Sequence, residues 1–590
     1  MMHPDQQQLE RSAGGETACN VRAWCRISSW MPVSAEAVRR KKERAVTSFS
    51  SGSQRRAVKG VSRRRLLQGG AGLALASGLI LPAGVNAANL GQHLIFPRYA
   101  AQEETPKAGG VLRYGLSTDP SNFEPHVSTG AASATVKMMV YSQLLTYADD
   151  GSFIGNLAEE FDWVDDLTYR VKVFDGVTFH DGSPLTVDDI IFSFNRIKDP
   201  DTAATMAGRL ADVAEVVAGE GENEVLFKLS QPNVVLPYAL ADQSTAIVSK
   251  AWIESGVDPK TTMMGTGPYK FVERQPGIVI KLEKNPDYFV PDLPYLDGID
   301  FQPMPDDNAR VTALRSGTVD FIDYVPYTQM TTIDEDPNLV FTSDSVLGFG
   351  WIGFNLEKAP VSDPKVRGAF AYGLDRERMV QIAFAGRGAP ITGGLIPEGW
   401  VGHAPDLEGT FTPDYAKAQS MLTEAGANPL NIDMVSTSTY TVISRPAEAA
   451  QAELVNAGIN GNLVMQEWLT FRQSVADGTY PVHVWGSSLA YNDPDALSDY
   501  VASNGVMAKQ FHFSDERIDA LLTEGRQTQD EAKRNEIYQE VQGIIAEVFP
   551  MIFTIRRTQG EAHAAKVKGY THIAAGGWTQ VNLRNVWLDQ

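Results

Sequence analysis

Three strand-like segments joined by helical patterns constrain the fold of this chain most strongly. NIDMVST, NLVMQEW and PVHVWG begin at Asn431, Asn462 and Pro481, and a helical pattern separates each from the next. Strand–helix–strand units of this kind form parallel sheets with right-handed crossovers. Ligands bind such sheets beyond the carboxyl ends of the strands. The loop GSSLAYNDPDALSDY, from Gly486 to Tyr500 after the third strand, is therefore the best candidate binding segment that the residue pattern provides.

Strands and helices also alternate through the rest of the body, from Gly110 onward. In the second of two predicted hairpins, Ile278, Ile280 and Leu282 share one face. The predicted elements are a strand at GGVLRYGLS, hairpins at FDWVDDLTYRVKVFDG and GTGPYKFVERQPGIVIKLEKNPDYF, and helices from Asp363 through Phe384, from Thr412 to Gly426, from near Ser514, and from a capping box at Thr528 and Glu531.

The stretch GVTFHDGSPLTVDDIIFSFNRIKDP places His180 near several aspartates, which raises the question of a metal or acid–base centre. Thr186 and Asp189 form a capping box, and aspartates in a first helical turn complement the helix dipole. Apolar residues then recur at helical spacing until Asp199-Pro200 ends the helix. No second cluster of metal ligands accompanies His180 in the sequence. We therefore predict a turn and a capped helix, and neither a catalytic nor a metal site.

Residues 62–87 have the layout of an export signal. A basic run precedes an uncharged apolar stretch, too short to span a bilayer, and the small-residue end Val-Asn-Ala. Ser62-Arg63-Arg64 followed by two leucines resembles the twin-arginine export signal of bacteria. A buried or amphipathic N-terminal helix is the alternative. We expect residues 1–61 to be a disordered extension or the product of an over-early start codon, and residues 88–105 to be a linker.

Charge and cysteine content exclude several function classes for the body. Residues 1–87 carry a net charge of +9 and residues 88–590 a net charge of −30. Such an acidic body is repelled by nucleic acid and by anionic membranes. Both cysteines, Cys19 and Cys25, precede the signal, so the body has no disulfide, thiol nucleophile or Cys-based metal site. The histidines form no chelating motif, and we expect no cofactor.

Several longer segments are together more specific than any short motif. They are GGVLRYGLSTDPSNFEPH, FIGNLAEEF, LTYRVKVFDGVTFHDGSPLTVDDIIFSFNRIKDP, GTGPYKFVERQPGIVIKLEKNPDYF, NARVTALRSGTVDF, IGFNLEKAPVSDPKVRGAFAYGLDRERMV and NLRNVWL. In this order, they resemble the family 5 extracytoplasmic solute-binding proteins, which serve ABC importers of peptides, nickel chelates, opines and some oligosaccharides. The resemblance implies an α/β, two-lobed periplasmic-binding-protein fold, type II-like and of three domains, with a hinge. Lobe I would comprise residues 106–345 plus 555–590, and lobe II residues 346–554.

The resemblance implies a ligand pocket between the lobes. Trp485 and Tyr491 offer rings that can cover a sugar or an apolar group, but Trp485 fits a core position equally well. Two aspartates of the loop also fit helix caps, and three polar residues beside Pro120 also fit a turn. The predicted ligand-binding residues are Thr118, Asp119, Ser121, Trp400, His403, Trp485, Tyr491, Asn492, Asp493 and Asp495.

Two positions depart from the pattern that the family's peptide binders show. There, an aspartate three residues before the acidic residue that precedes proline holds the peptide ammonium. With Asp493-Pro494 as the reference, Ala490 occupies that position. Peptide binders often carry, before the Trp that precedes the loop, an arginine that pairs with the ligand carboxylate, whereas PVHVW carries His483 and no arginine. Because an unpaired buried ammonium is costly, both departures disfavour a dipeptide or oligopeptide.

The leading hypothesis is a monomeric periplasmic component of an ABC importer, exported by the twin-arginine route. It would capture a peptide-like or other small solute and deliver it to permease subunits in the inner membrane, with no enzymatic activity. A secreted hydrolase is one alternative. The G-x-S-x-G and H-E-x-x-H motifs of such enzymes are absent from the sequence, whereas a catalytic pair of carboxylates is a feature that the sequence does not decide. A sensor that docks on a membrane receptor is another. An oligosaccharide, an opine or a metal chelate is the alternative to a peptide.

Overall fold

The computed structural model describes residues 105–127, 130–148, 151–344, 348–573, 580–581 and 583–590. The predicted extension (1–61), the export signal (62–87) and most of the linker (88–105) lie outside the described residues. Within the described ranges, no helix combines the length and the apolar character needed to cross a bilayer. All the described residues belong to one structural unit.

The strands and helices take up most of the described chain. The strands are β1 (Val111–Leu116), β2 (Leu145–Tyr147), β3 (Phe153–Gly155), β4 (Ala158–Asp165), β5 (Thr168–Val173), β6 (Val213–Ala218), β7 (Glu224–Leu229), β8 (Tyr269–Gln275), β9 (Val279–Lys284), β10 (Gly298–Pro303), β11 (Phe321–Ile322), β12 (Leu339–Asp344), β13 (Gly348–Phe354), β14 (Gly388–Pro390), β15 (Leu430–Thr437), β16 (Ile459–Gln466), β17 (Val482–Ser488), β18 (Met551–Arg557), β19 (Gln559–Ala564), β20 (Val567–Lys568), β21 (His572–Ile573), β22 (Gln580–Val581) and β23 (Trp587–Leu588). The α-helices are α1 (Ala131–Val140), α2 (Val187–Lys198), α3 (Leu236–Leu240), α4 (Lys250–Glu254), α5 (Asp307–Arg315), α6 (Met330–Asp334), α7 (Pro364–Tyr372), α8 (Arg376–Phe384), α9 (Tyr415–Glu424), α10 (Thr441–Leu454), α11 (Trp468–Ala476), α12 (Ser498–Val501), α13 (Val506–Phe511), α14 (Glu516–Gln527) and α15 (Glu531–Val548).

A seven-stranded sheet, sheet A, has the order β12-β19-β11-β1-β10-β9-β8. β1 is parallel to β10 and β11, whereas the other pairs are antiparallel. The second predicted hairpin is confirmed as β8 and β9 at the edge of this sheet. Ile280 and Leu282 are buried as predicted, but Ile278 is 65% exposed because it lies in the turn.

A six-stranded sheet, sheet B, has the order β14-β18-β13-β17-β15-β16. β15 is parallel to both β16 and β17, which confirms the strand–helix–strand prediction for these three strands. β13 is antiparallel to β17 and β18, so the sheet as a whole is mixed. Apolar layers cover both faces: one surrounds Trp351 and includes residues of α14 and α15, and the other surrounds Ile352 and includes residues of α7 to α10.

The chain crosses between the two sheets at two adjacent places. One crossing joins β12, which ends at Asp344, to β13, which begins at Gly348; the other joins β18 to β19 between Arg557 and Gln559. Because β12 pairs with β19 and β13 pairs with β18, the crossings lie side by side. We call the part with sheet A lobe I and the part with sheet B lobe II, with the hinge at these crossings.

Lobe I also contains a four-stranded antiparallel sheet of order β4-β5-β7-β6, which contacts α2. The first predicted hairpin is β4 and β5, and its inward residues are buried. The predicted capping box is present: the Thr186 hydroxyl accepts the Asp189 N–H at 3.3 Å, and the Asp189 carboxylate accepts the Thr186 N–H at 3.0 Å. Ile190, Phe194 and Ile197 are buried, which confirms the predicted apolar face of α2.

His180 lies in the turn that the sequence predicts. Its Nε2 is 3.0 Å from the Gly267 carbonyl, and the Gly182 N–H donates to the Phe179 carbonyl. Nowhere in the described ranges do three or more His, Cys, Asp or Glu side chains form a group that could hold a metal ion. The Asp181 carboxylate accepts the Ser183 N–H at 2.9 Å, and Asp189 closes the capping box of α2, so these two aspartates stabilise the turn and the helix start.

Three helix predictions are wrong in their bounds. The predicted helix over residues 363–384 is two helices, because the Asp375 side chain caps α8 within it. The helices predicted from Thr412 and from a box at Thr528 begin two residues later, after Asp414 and Asp530. In each case an aspartate supplies the cap, since its carboxylate satisfies a free N–H of the first turn.

Candidate functional site

The predicted binding loop begins at the carboxyl end of β17 and forms two short helical segments. β17 ends at Ser488, a 3-10 turn covers Pro494–Leu497, and α12 follows. The Asp493 carboxylate caps the turn by accepting the Asp495 N–H at 2.9 Å. The loop therefore lies at the sheet edge where parallel strands present ligands.

Asp493 is held by a buried arginine of α15. Its carboxylate oxygens accept hydrogen bonds from the two terminal nitrogens of Arg534 at 2.7 and 2.9 Å. Burial raises the pKa of Asp493, and the Arg534 guanidinium opposes that shift. Bidentate pairs of this kind are among the stronger charge-assisted hydrogen bonds. Both oxygens of Asp493 are thus bound within lobe II.

Asp495 is the centre of a second network in lobe II, and it is 2% exposed. Its carboxylate accepts the Tyr491 hydroxyl at 2.9 Å and the Tyr538 hydroxyl at 3.3 Å. Arg526 of α14 donates to it at 3.0 Å. The capping and packing interpretation of the loop aspartates therefore fits both of them.

Tyr491 lies in the part of the loop that contacts lobe I. Its ring stacks on Tyr238 of α3, with centroids 5.0 Å apart and an interplanar angle of 28°. The Arg209 guanidinium lies 4.3 Å from the Tyr491 ring centroid and pairs with Asp499 of α12. The Asn492 carbonyl accepts the Tyr238 hydroxyl at 3.5 Å. Residues 491 and 492 thus contact the opposite lobe.

Trp485 is part of the aromatic layer of sheet B. It stacks on Trp351, with centroids 5.7 Å apart at 18°, and packs edge-on against Phe471 and Trp468 at 4.9 and 5.6 Å. Only 6% of Trp485 is exposed. These contacts match the core alternative for Trp485, and they place it directly before the loop.

The three candidates that follow β1 form a turn within lobe I. The Asp119 carboxylate pairs with Arg274 at 3.1 Å and accepts the Gly277 N–H at 2.9 Å, so it is bound to the β8–β9 hairpin. Thr118 is half-buried and Ser121 is exposed. Among the described hydrogen bonds and ion pairs, none joins these three residues to residues 486–500.

Trp400 and His403 lie in a loop of lobe II that contacts the binding loop. Trp400 is half-buried and packs against the aromatic layer of sheet B. His403 Nδ1 is 3.0 Å from the Ile396 carbonyl, and its Nε2 is 3.3 Å from Glu408. A Cβ built on Gly402 between them would lie 3.2 Å from Pro494, which shows how closely the two loops approach.

The structure therefore brings the loop candidates together with Trp400, His403 and Trp485 in lobe II. It places Thr118, Asp119 and Ser121 in the other lobe, lobe I. The sequence interpretation missed Arg209 and Tyr238, which reach the loop from lobe I. It also missed Arg557 at the hinge. No local pattern marks these three residues, because their partners are more than 60 positions away. Chemically, the site offers aromatic faces and neutral polar groups, with its aspartates already paired.

Comparisons with known proteins bear on the family to which this chain belongs. Residues 152–509 match the family model described as bacterial extracellular solute-binding proteins, family 5 Middle. The oligopeptide-binding protein AppA of Bacillus subtilis (strain 168) is 30% identical over 494 residues, which cover 79% of this chain and 90% of AppA. The glutathione-binding protein GsiB of Escherichia coli (strain K12) is 26% identical and covers 76% of this chain and 90% of GsiB.

A solved structure gives the same result. The periplasmic binding protein AgaA of A. tumefaciens R10, in complex with agropinic acid, superposes with a TM-score of 0.76 at 31% identity, covering 82% of this chain and 99% of AgaA. The chain belongs to the family 5 bacterial extracellular solute-binding proteins. It has their α/β two-lobed fold and is a solute-binding protein, which confirms the resemblance seen in the sequence.

Proposed function

We propose that this protein is the substrate-binding component of an ABC importer, which closes its lobes on a small solute and delivers it to permease subunits in the inner membrane. The contact between Tyr491 of lobe II and Tyr238 of lobe I carries this proposal. It brings the loop at the ligand-binding edge of sheet B against the opposite lobe. A solute held at that edge is enclosed when the lobes meet, and exposed when they part.

We further propose that the protein acts by binding alone, as a monomer, without nucleic-acid partners. The aspartates nearest to the cleft support this: Asp493 and Asp495 are each paired with an arginine. The oxygens of both carboxylates already accept hydrogen bonds from neighbouring side chains, so neither is placed to accept a proton from a substrate. His483, the histidine nearest to the loop in sequence, is buried, and burial lowers its pKa to about 3.

The proposed location is the periplasm, reached by the twin-arginine route through residues 62–87. The proposed domain limits are 106–345 plus 555–590 for lobe I and 346–554 for lobe II, with residues 1–61 and 88–105 as extension and linker. The division into two sheets supports this arrangement, since sheet A contains β1 and β19 and sheet B contains β13 to β18. β18 runs to Arg557, so sheet B extends three residues past the proposed limit at residue 554.

For the solute, we propose a modified amino acid of the opine kind in preference to a peptide with a free ammonium. Ala490 offers a methyl group where the family's peptide binders carry an aspartate. Asp493 and Asp495, the two carboxylates that follow in the loop, are bound to arginines. AgaA, solved with agropinic acid, is 31% identical to this chain. The ten predicted ligand-binding residues remain part of this proposal, with Tyr491 and Asn492 as its most direct members.

A binding screen tests this function. Residues 88–590 would be mixed with agropinic acid, glutathione, a nonapeptide or maltotriose, followed by calorimetry, thermal unfolding and mass spectrometry of the recovered ligand. We expect stoichiometric heat, a raised Tm and an unchanged ligand for at least one compound. Catalytic appearance of a product would instead support a secreted hydrolase. Absence of binding to every solute class, including compounds that co-purify from the native host, would contradict the proposal.

A further inference from the structure

Arg557, the last residue of β18, lies at the hinge between the lobes. Its Nη2 is 3.3 Å from the Ser488 hydroxyl, at the carboxyl end of β17 in lobe II. On the other side its charge acts on Tyr324, which follows β11 of lobe I: burial raises the pKa of Tyr324, and the Arg557 guanidinium opposes that rise. The arginine therefore lies between a hydrogen-bond partner in lobe II and a tyrosine of lobe I.

The backbone leaves space for this side chain. Gly348 of β13 pairs with Ser488, and a Cβ built on Gly348 would lie 2.3 Å from Nε of Arg557 and 2.9 Å from its Cγ. Any other residue at position 348 would thus displace the arginine. Gly350 and Gly486 form a pair two positions further along the same two strands, so glycines line this face of sheet B.

The charge of Arg557 has no counterpart in the described structure. Among the described residues, no carboxylate forms an ion pair with it, and its buried Nε has no hydrogen-bond partner. Its neighbours Ser488, Tyr324 and Tyr327 are neutral. The two carboxylates that also act on Tyr324, Asp323 and Glu561, are bound to other side chains. Leaving a half-buried guanidinium unpaired is costly, so the arrangement is that of a site awaiting an anion.

The same edge of sheet B carries a second source of positive potential. Helix α10 has 14 residues and begins just beyond the carboxyl end of β15, and its N-cap residue Tyr440 supplies no side-chain cap. The first turn of α10 lies beside Gly486: a Cβ there would be 3.6 Å from Ile443. Free N–H groups and the helix dipole at this edge favour an anion.

We propose that Arg557 binds a carboxylate group of the solute, with the Ser488 hydroxyl beside it, and so determines that the solute is an acid. A planar guanidinium matches the two oxygens of a carboxylate, and one arginine balances one negative charge. A phosphate carries more charge at neutral pH than this single arginine balances. The inference rests on the proposed solute-binding function and adds the chemical group that is recognised.

The test compares acids with their blocked derivatives. Calorimetry would use agropinic acid, glutathione and the dipeptide Met-Leu as carboxylates, glutathione diethyl ester and Met-Leu amide as blocked forms, and maltotriose as a neutral solute. Each would be titrated into the wild type, Arg557→Gln, Arg557→Lys and the control Arg517→Gln, whose side chain is 54% exposed. Thermal unfolding would verify that each variant folds, and Arg557→Lys retains the charge should the glutamine variant unfold.

We expect at least one carboxylate to bind the wild type and to bind Arg557→Gln about 100-fold more weakly. Arg557→Lys should retain part of the affinity, and Arg517→Gln all of it. The blocked form should bind the wild type as weakly as the free acid binds Arg557→Gln. Equal affinity of wild type and Arg557→Gln would overturn the inference, as would tight binding of a blocked form.

Two further outcomes separate this inference from the proposed function. If the wild type binds maltotriose but none of the three acids, the solute-binding function stands and the carboxylate inference fails. If inorganic phosphate raises the Tm through Arg557 while the acids do not, the recognised group is a phosphate, and the assignment is wrong.

Discussion

The Tyr238 ring stacks on the Tyr491 ring across the two lobes, with centroids 5.0 Å apart. Each tyrosine is held by its own lobe: Tyr491 donates to Asp495 at 2.9 Å, and Phe153 packs edge-on against Tyr238 at 4.6 Å. Arg209 covers the Tyr491 ring and pairs with Asp499. This aromatic and ionic contact is the most direct physical link between lobe I and the loop that begins at the ligand edge of sheet B.

Loss of the Arg209 contact should shift the protein towards an open form. Arg209→Ala removes both the ion pair with Asp499 and the cation–π contact with Tyr491, each of which joins the lobes. We expect a larger radius of gyration by small-angle scattering without ligand. Lys365→Ala is the matched control, because its partner Glu424 lies in the same lobe. Identical scattering curves for wild type and Arg209→Ala would rule out this role.

Removal of Arg534 should destabilise the protein strongly. Arg534→Met leaves the Asp493 carboxylate buried without its bidentate partner, which costs about 3–5 kcal/mol of unfolding free energy. The neighbouring Lys533→Met breaks an exposed pair with Glu524 and should cost less than about 1 kcal/mol. Urea denaturation measures both. Similar costs for the two variants would show that the Asp493 pair contributes no more than a surface pair.

Truncation of Trp485 should reveal its packing role in the absence of any ligand. Trp485→Ala removes a buried ring that contacts Trp351 and Phe471, and it should lower the unfolding free energy by about 3–5 kcal/mol. Leu469→Ala, at a site that is 69% exposed, should change it by less than about 0.5 kcal/mol. Should Trp485→Ala unfold at the wild-type urea concentration, the ring is dispensable for the core.

The free energy of unfolding should fall in acid because His126 is buried in its neutral form. Burial lowers the pKa of His126 to about 4; its Nε2 lies 2.9 Å from the Ala246 carbonyl, and Arg196 donates to its Nδ1 at 2.8 Å. These bonds assign the proton to Nε2 and leave Nδ1 as an acceptor, so the folded protein holds the ring neutral. The unfolded chain therefore binds more protons between pH 6.5 and 4, and folding weakens as pH falls through that range.

The size of this effect follows from the shift, at about 1.4 kcal/mol per pKa unit, which gives roughly 3 kcal/mol for His126. His126→Gln should therefore show a shallower dependence of unfolding free energy on pH between 6.5 and 4. Leu469→Ala, which changes no titratable group and lies at a site that is 69% exposed, should keep the wild-type slope. Equal slopes for all three proteins would contradict the assignment of acid sensitivity to His126.

The sequence alone determined the elements whose signals are local. The capping box at Thr186 and Asp189, the hairpins, and the parallel pairing of β15 with β16 and β17 each depend on side chains a few positions apart, or on one strand–helix–strand unit. The family resemblance likewise rests on segments that occur in order along the chain. Helix bounds failed where Asp375 and Asp530 competed as caps with equally plausible neighbours.

Only the tertiary structure decided which distant side chains meet. Arg534 and Asp493 are 41 positions apart, Arg209 and Asp499 are 290 apart, and Arg557 and Ser488 are 69 apart. No sequence periodicity encodes such pairs, because they depend on how α15, the 3-10 turn and the hinge strands pack. The sequence thus fixes the local backbone and the loop that begins at the ligand edge. Long-range packing determines that the loop aspartates are neutralised and that an arginine without an ion-pair partner among the described residues stands at the hinge.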